Sequence, residues 1–259
     1  MQLITSFLPA FLLVFCRITS FFVVVPVFSI RGVPLPFRVG LSFFVSLLVF
    51  TAIGTTAPME FDSLFLLNMA REITVGLLLG FTAYLFFTLV QIAGSFMDMQ
   101  IGFGIVNVID PATGAQSPVF GNFAFMLAML FFLSINGHHY LLEAIMDSYK
   151  WVPLSNEIYA NIQNGAVSTF LLDSFATVFY LAFQIAAPIL AAMFLVDLAL
   201  GVLAKTAPQF NIFVVGFQVK IAVGLIMVML LVSSFLYVFQ QLFATMFEAL
   251  MNLLKILHL

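Results

Sequence analysis

Three residues of the stretch NGHHYLLEAIMD stand at helical spacing. His139, Glu143 and Asp147 are four residues apart, so one face of a helix would carry an imidazole and two carboxylates, a set that can ligate a divalent cation. A metalloenzyme needs more than that face, and the chain contains no HExxH and no second cluster of ligating residues; its third histidine, His258, is next to last. There is no G-x-S-x-G elbow, no Walker loop and no GxGxxG, and GFG at 102–104 is too short to cradle a phosphate. The three residues read as a polar helix end turned toward water. No catalytic site, metal or cofactor is expected.

The other candidates are charges set in hydrocarbon. Arg17, Arg71, Glu72, Asp98, Asp173, Asp197 and Lys220 lie in or at the edges of apolar runs. A charge at the centre of a bilayer costs about 2.5–3.5 kcal/mol on insertion scales, so each needs an ion-pair partner, a polar pathway or a route to the headgroups. Arg17 is deep within an apolar run on both sides, which makes snorkelling awkward and pairing the better account. Asp98 and Lys220 lie nearer segment ends, where either account serves.

The elements that position these residues follow from composition. Of 259 residues, 64% are hydrophobic and 7% charged, whereas soluble domains carry about 25% charged residues. The surroundings are therefore lipid or other apolar protein. A net charge of −3 with no basic cluster excludes nucleic acid as a partner. The single cysteine, Cys16, rules out an internal disulfide. The N-terminal MQLITSFLPAFLLVF lacks the positive region of a cleaved signal, and no linker divides the chain, so one membrane domain with a retained first helix is expected. Apolar runs near 3–28, 39–57, 64–97, 123–147, 166–204 and 212–257 are separated by segments rich in Pro, Gly, Asn or Ser, giving six helical segments.

The last two runs would reach roughly 60 to 70 Å as straight helices, against a hydrocarbon layer of about 30 Å. Either each is a hairpin bent near Pro188 or Gly224, or they continue beyond the bilayer into an apolar assembly. Gly76 and Gly80, and Ala187 and Ala191, stand one turn apart and allow close helix contact.

One stretch fits none of this. GFGIVNVIDPATGAQSPVFGNF, residues 102–123, is too broken for a membrane helix and too apolar for an ordinary loop. Gly102, Gly104, Gly114 and Gly121 permit turns, and Asp110-Pro111 and Ser117-Pro118 oppose helix. Val106 and Val108 keep the stretch apolar, and Asp110 is its only charge. Non-helical backbone at membrane depth is tolerated only against protein or a wet cavity. Met97 and Met99, which precede the stretch, and Phe103 at its start are flexible or aromatic side chains able to close space around it.

Four passages carry a family resemblance: KTAPQFNIFVVGFQVK (205–220), NGHH (136–139), GSFMDMQIGFG with DPATG (94–114), and VPVFSIRGVPLPFRVGLSFF (25–44). In order and spacing they resemble the FliR family of flagellar export-gate proteins, whose relatives serve virulence type III secretion. The residues bearing the pattern are Asn136, Gly137, His138, His139, Pro208, Gln209, Asn211, Phe213, Gly216 and Lys220. Lys205 stands where an Arg is common in the family and Gln218 where a Pro is common.

The resemblance implies an all-α membrane protein of long kinked or hairpin helices, a FliP-like part over about 1–200 followed by a FliQ-like part over 201–259, built into a helical export gate. It implies a non-enzymatic, multi-pass subunit of the bacterial cytoplasmic membrane, in the flagellar basal body. Homologues of FliP and FliQ, together with FlhB, are the implied partners, and unfolded flagellar proteins the cargo. It also implies that the 102–123 stretch is a plug in the gate's central channel. The competing readings are a virulence secretion gate and a stand-alone solute transporter. The transporter is disfavoured because no paired broken helices recur in two halves of the chain.

Overall fold

A computed structural model describes residues 2–29, 32–53, 65–103, 118–154, 165–209 and 211–258, the side chains of residues 2–6, 53 and 213 excepted. Every element among them is a helix: α1 (Gln2–Val24), α2 (Pro26–Ser29), α3 (Leu35–Ile53), α4 (Phe65–Ile101), α5 (Val119–Ser134), α6 (Gly137–Trp151), α7 (Ala166–Thr206) and α8 (Ile212–His258). This is an all-α membrane protein. Five helices are long and apolar enough to cross a bilayer, or six if α5 and α6 together form one broken span.

Local chemistry sets the boundaries. Pro26 has no N–H to continue α1, whose ladder closes with the Val25 N–H on the Phe21 carbonyl at 3.0 Å. Helix α3 begins at Leu35, with Pro36 in its first turn, where a missing N–H costs nothing; the expected start at 39 was late. Arg38 ties this start to α2, donating to the carbonyls of Val33 and Ser29 at 3.1 Å each. The run expected over 123–147 is two helices. Asn136 adopts left-handed backbone (φ 58°, ψ 28°), a conformation asparagine accepts more readily than most residues, and α6 restarts at Gly137.

The hairpins envisaged at Pro188 and Gly224 do not form. Helix α7 is continuous over 41 residues and α8 over 47, about 60 and 70 Å. Gly224 makes room rather than a bend: a Cβ there would come within 2.8 Å of the Ile101 side chain. Pro188 lies inside α7 on an exposed face. The boundary drawn at about residue 200 falls within α7.

Two compact units are distinguished. The first comprises Met1–Leu85, Asn136–Phe175 and Ala244–Leu259. In it α1 packs on α3 through phenylalanines, with edge-to-face pairs Phe11–Phe43 at 5.5 Å and Phe11–Phe50 at 5.9 Å. α1 also packs on α4 at Gly76 and Gly80: a Cβ at Gly76 would run into the Ser20 hydroxyl and the Arg17 carbonyl, and one at Gly80 would lie 3.0 Å from Val24 Cβ. The small-residue pair expected from sequence is thus a helix contact within the chain. The second unit comprises Phe86–Ile135 and Ala176–Phe243. Its core is aromatic, with Phe132 4.7 Å from Phe243 and 5.1 Å from Phe87.

Candidate functional site

In the first unit the close approach at Gly76 brings the α1 backbone within one turn of Glu72, and buried charge gathers there. The Arg17 side chain is fully buried. Its Nε donates to Glu72 Oε2 at 2.6 Å, Nη1 to Ser148 Oγ at 3.1 Å and Nη2 to the Val152 carbonyl at 2.9 Å. The guanidinium carbon sits 4.0 Å from the centre of the Tyr149 ring, and the Tyr149 hydroxyl donates to the Val14 carbonyl at 3.3 Å. The other carboxylate oxygen, Glu72 Oε1, accepts from Arg71 Nη2 at 2.9 Å, and the same guanidinium donates to the Leu154 carbonyl. One buried carboxylate therefore holds two guanidiniums, whose remaining donors reach the carboxyl end of α6, where unpaired carbonyls and the negative end of the helix dipole accept positive charge. The cluster fastens α6 to α1 and α4. It offers no exposed nucleophile.

In the second unit the charged residues frame the two ends of the glycine-rich stretch. α4 closes with the Gly102 N–H on the Asp98 carbonyl at 3.1 Å, Gly102 standing at φ 105°, where glycine is nearly obligatory. The Asp98 side chain reaches α5: its two oxygens accept the N–H groups of Phe120 at 3.1 Å and Gly121 at 3.2 Å. Pro118 occupies the N-cap position of α5 without a side-chain bond, so Asp98 supplies the cap from a distant part of the chain. The approach is possible because both helices present glycine: a Cβ on Gly94 would strike the Gly121 backbone. Phe103 and Phe120 complete the frame with rings 5.5 Å apart, edge to face. Beside it Lys220 Nζ pairs with Asp197 Oδ1 at 2.6 Å, and Gln100 Nε2 donates to Asp197 Oδ2 at 3.2 Å.

Met97 is buried, at 3% exposure, whereas Met99 is 72% exposed, so the two do not share a face. Asp173 is exposed on α7. Gly104, Val106, Val108, Asp110, Pro111 and Gly114 lie outside the described residues. Among the pattern residues, His138 and His139 place their rings 4.2 Å apart at the start of α6. Pro208, Gln209 and Asn211 are exposed between α7 and α8, Asn211 Oδ1 accepts the Val214 N–H at 3.4 Å, and a Cβ on Gly216 would lie 3.1 Å from Leu200. His139 and Glu143 are exposed and Asp147 pairs with Lys150 at 2.7 Å. Among the described residues no three His, Cys, Asp or Glu are placed to hold a metal.

Sequence reasoning missed Ser148, Tyr149 and Gln100. Only Gln100 left a signal, an amide at the end of an apolar run.

Residues 8–246 match the family described as bacterial export proteins, family 1. The chain belongs to this family. It is 44% identical over 256 residues to the flagellar biosynthetic protein FliR of Bacillus subtilis (strain 168), covering 99% of this chain and 98% of that one. It is 28% identical to the flagellar biosynthetic protein FliR of Escherichia coli (strain K12), covering 94% and 92%. It is 30% identical to the Yop proteins translocation protein T of Yersinia pestis, covering 80% of each. The Asp98 frame and the Arg17 cluster both lie inside the range matched by the family.

Proposed function

We propose that this chain is a non-enzymatic core subunit of the flagellar type III protein export gate, that it assembles with homologues of FliP and FliQ beside FlhB, and that its glycine-rich mid-chain stretch plugs the channel through which unfolded flagellar proteins pass. The observation that carries the reading is the 44% identity along 99% of the chain to a flagellar FliR. It favours the flagellar over the virulence system, whose translocation protein T is 30% identical over a shorter span.

The geometry supports the plug at its base. Asp98, Gly94 and Gly121 bring the end of α4 and the start of α5 to one point, so that the two ends of the stretch stand together. The composition of the stretch, with one charge, four glycines and two prolines, is compatible with a plug set against an apolar wall. Apolar side chains exposed along α7 and α8, such as Leu195, Leu198, Met229 and Leu230, supply contact surface for neighbouring subunits.

Deleting residues 106–119 is expected to make cells leaky to ions and small solutes while the gate still assembles. Unchanged permeability with the complex intact would overturn the plug. Purification in mild detergent tests the rest: copurification with the FliP and FliQ homologues is expected, and a stable lone monomer that binds a solute would instead identify a transporter.

A further inference from the structure

We propose that Asp98 is a positioning residue of the gate: its carboxylate ties the end of α4 to the start of α5 and so holds together the two ends of the mid-chain stretch. The inference rests on the plug reading and adds to it the group that holds the plug in register.

The side chain is 5% exposed and lies in an apolar helix, where an ionised carboxylate needs strong partners. It has two, both backbone N–H groups of the first turn of α5, at 3.1 and 3.2 Å. Those donors are the ones an N-cap side chain ordinarily satisfies, and Pro118 has none to offer. The positive end of the α5 dipole adds to the attraction. A residue four positions away on α4, Gly94, contacts the Gly121 backbone, and Phe103 meets Phe120. Three independent contacts thus converge on one junction. Only the carboxylate bond is polar and directional, and only it sets the register of α5 against α4. A local cap would serve α5 equally well. A cap drawn from α4 does something further, since the two ends cannot separate without breaking it.

The distinction between capping a helix and tying two ends can be tested in the full chain, expressed with its partner subunits and without cargo, by measuring complex yield and solute leak. Loss of two charge-assisted bonds in Asp98→Ala is expected to shift the balance between held and released ends about 100-fold toward release. Asp98→Asn, which keeps one neutral acceptor, is expected to shift it about tenfold. The leak of the 106–119 deletion defines full release. Asp98→Ala combined with Pro118→Asp restores a local cap but not the tie, and is expected to remain as leaky as Asp98→Ala.

A tight double variant would reduce Asp98 to a helix cap and overturn the proposal. A tight Asp98→Ala beside a leaky deletion overturns it too, while leaving the plug reading intact. A tight deletion removes the plug reading and this inference together. Should Asp98→Ala fail to accumulate, Asp98→Asn carries the comparison: a graded rise in leak supports the tie, and an unchanged leak overturns it.

Discussion

Substituting Glu72 is expected to damage the protein more than substituting Arg17, although the two form one ion pair. Glu72 gives one oxygen to Arg17 and the other to Arg71, and its side chain has no exposure. Among the described residues Glu72 is the one anion that Arg17 contacts, its other partners being Ser148, the Val152 carbonyl and the Tyr149 ring. Glu72→Gln therefore leaves a fully buried guanidinium without a counter-charge, and turns an amide N–H toward one of the two cations. Removing one member of a buried pair costs about 3–5 kcal/mol, roughly two to nearly four powers of ten in the folded ratio. Arg17→Met is different in kind. It leaves Glu72 paired with Arg71 and orphans the Val152 carbonyl, which costs about 1–3 kcal/mol. Thermal unfolding of the full chain in detergent, followed by retention of the assembled complex, reads both. An unfolding midpoint lower by about 6–20 °C is expected for Glu72→Gln, from about 2–4 °C per kcal/mol for a chain of this size, with a clearly smaller fall for Arg17→Met. If Arg17→Met proves equally or more harmful, the charge accounting is wrong and packing against Tyr149 dominates.

Further outcomes follow from backbone geometry and from the pairing of a polar helix face. Gly94→Ala should lose about 1–3 kcal/mol, because the new methyl strikes the Gly121 backbone, whereas Gly201→Ala meets nothing within 4 Å in mid-helix and should be neutral or gain up to about 1 kcal/mol; paired melting curves check the contrast. Asn136→Ala should cost about 1–2 kcal/mol for its left-handed backbone, and Asn136→Gly should be nearly neutral. Treatment with EDTA should leave the unfolding midpoint unchanged if the face of His139, Glu143 and Asp147 holds no cation, Asp147 being paired with Lys150.

Most of the helices were legible because prolines and glycines mark their ends for backbone reasons that hold in any solvent. The break at Asn136 was missed although Asn-Gly is a strong turn signal, since the apolar run continues on both sides of it. Pro188 and Gly224 misled in the opposite direction: a length twice the bilayer suggested bends, but glycine at 224 serves the packing of Ile101. The need of Arg17 for a partner was readable from its apolar flanks. The identity of the partner was not, because Glu72 lies 55 positions away and Ser148 131 positions away, and no periodicity spans such distances. Asp98 read as either a paired or a snorkelling charge, and its engagement with α5 depends on Gly94 and Gly121 meeting, a tertiary fact with no local trace.

The separation of Arg17 from Glu72 also has a consequence for biosynthesis. Ribosomes add about 5–20 residues per second, so the 55 positions from Arg17 to Glu72 take roughly 3 to 11 seconds to translate. Throughout most of that interval the nascent first helix carries a cation whose native partner, Glu72, has not yet been made. Its shelter has to come from the insertion machinery or from water at the translocation site, which makes delivery of α4 the step at which the newborn chain can first settle into lipid.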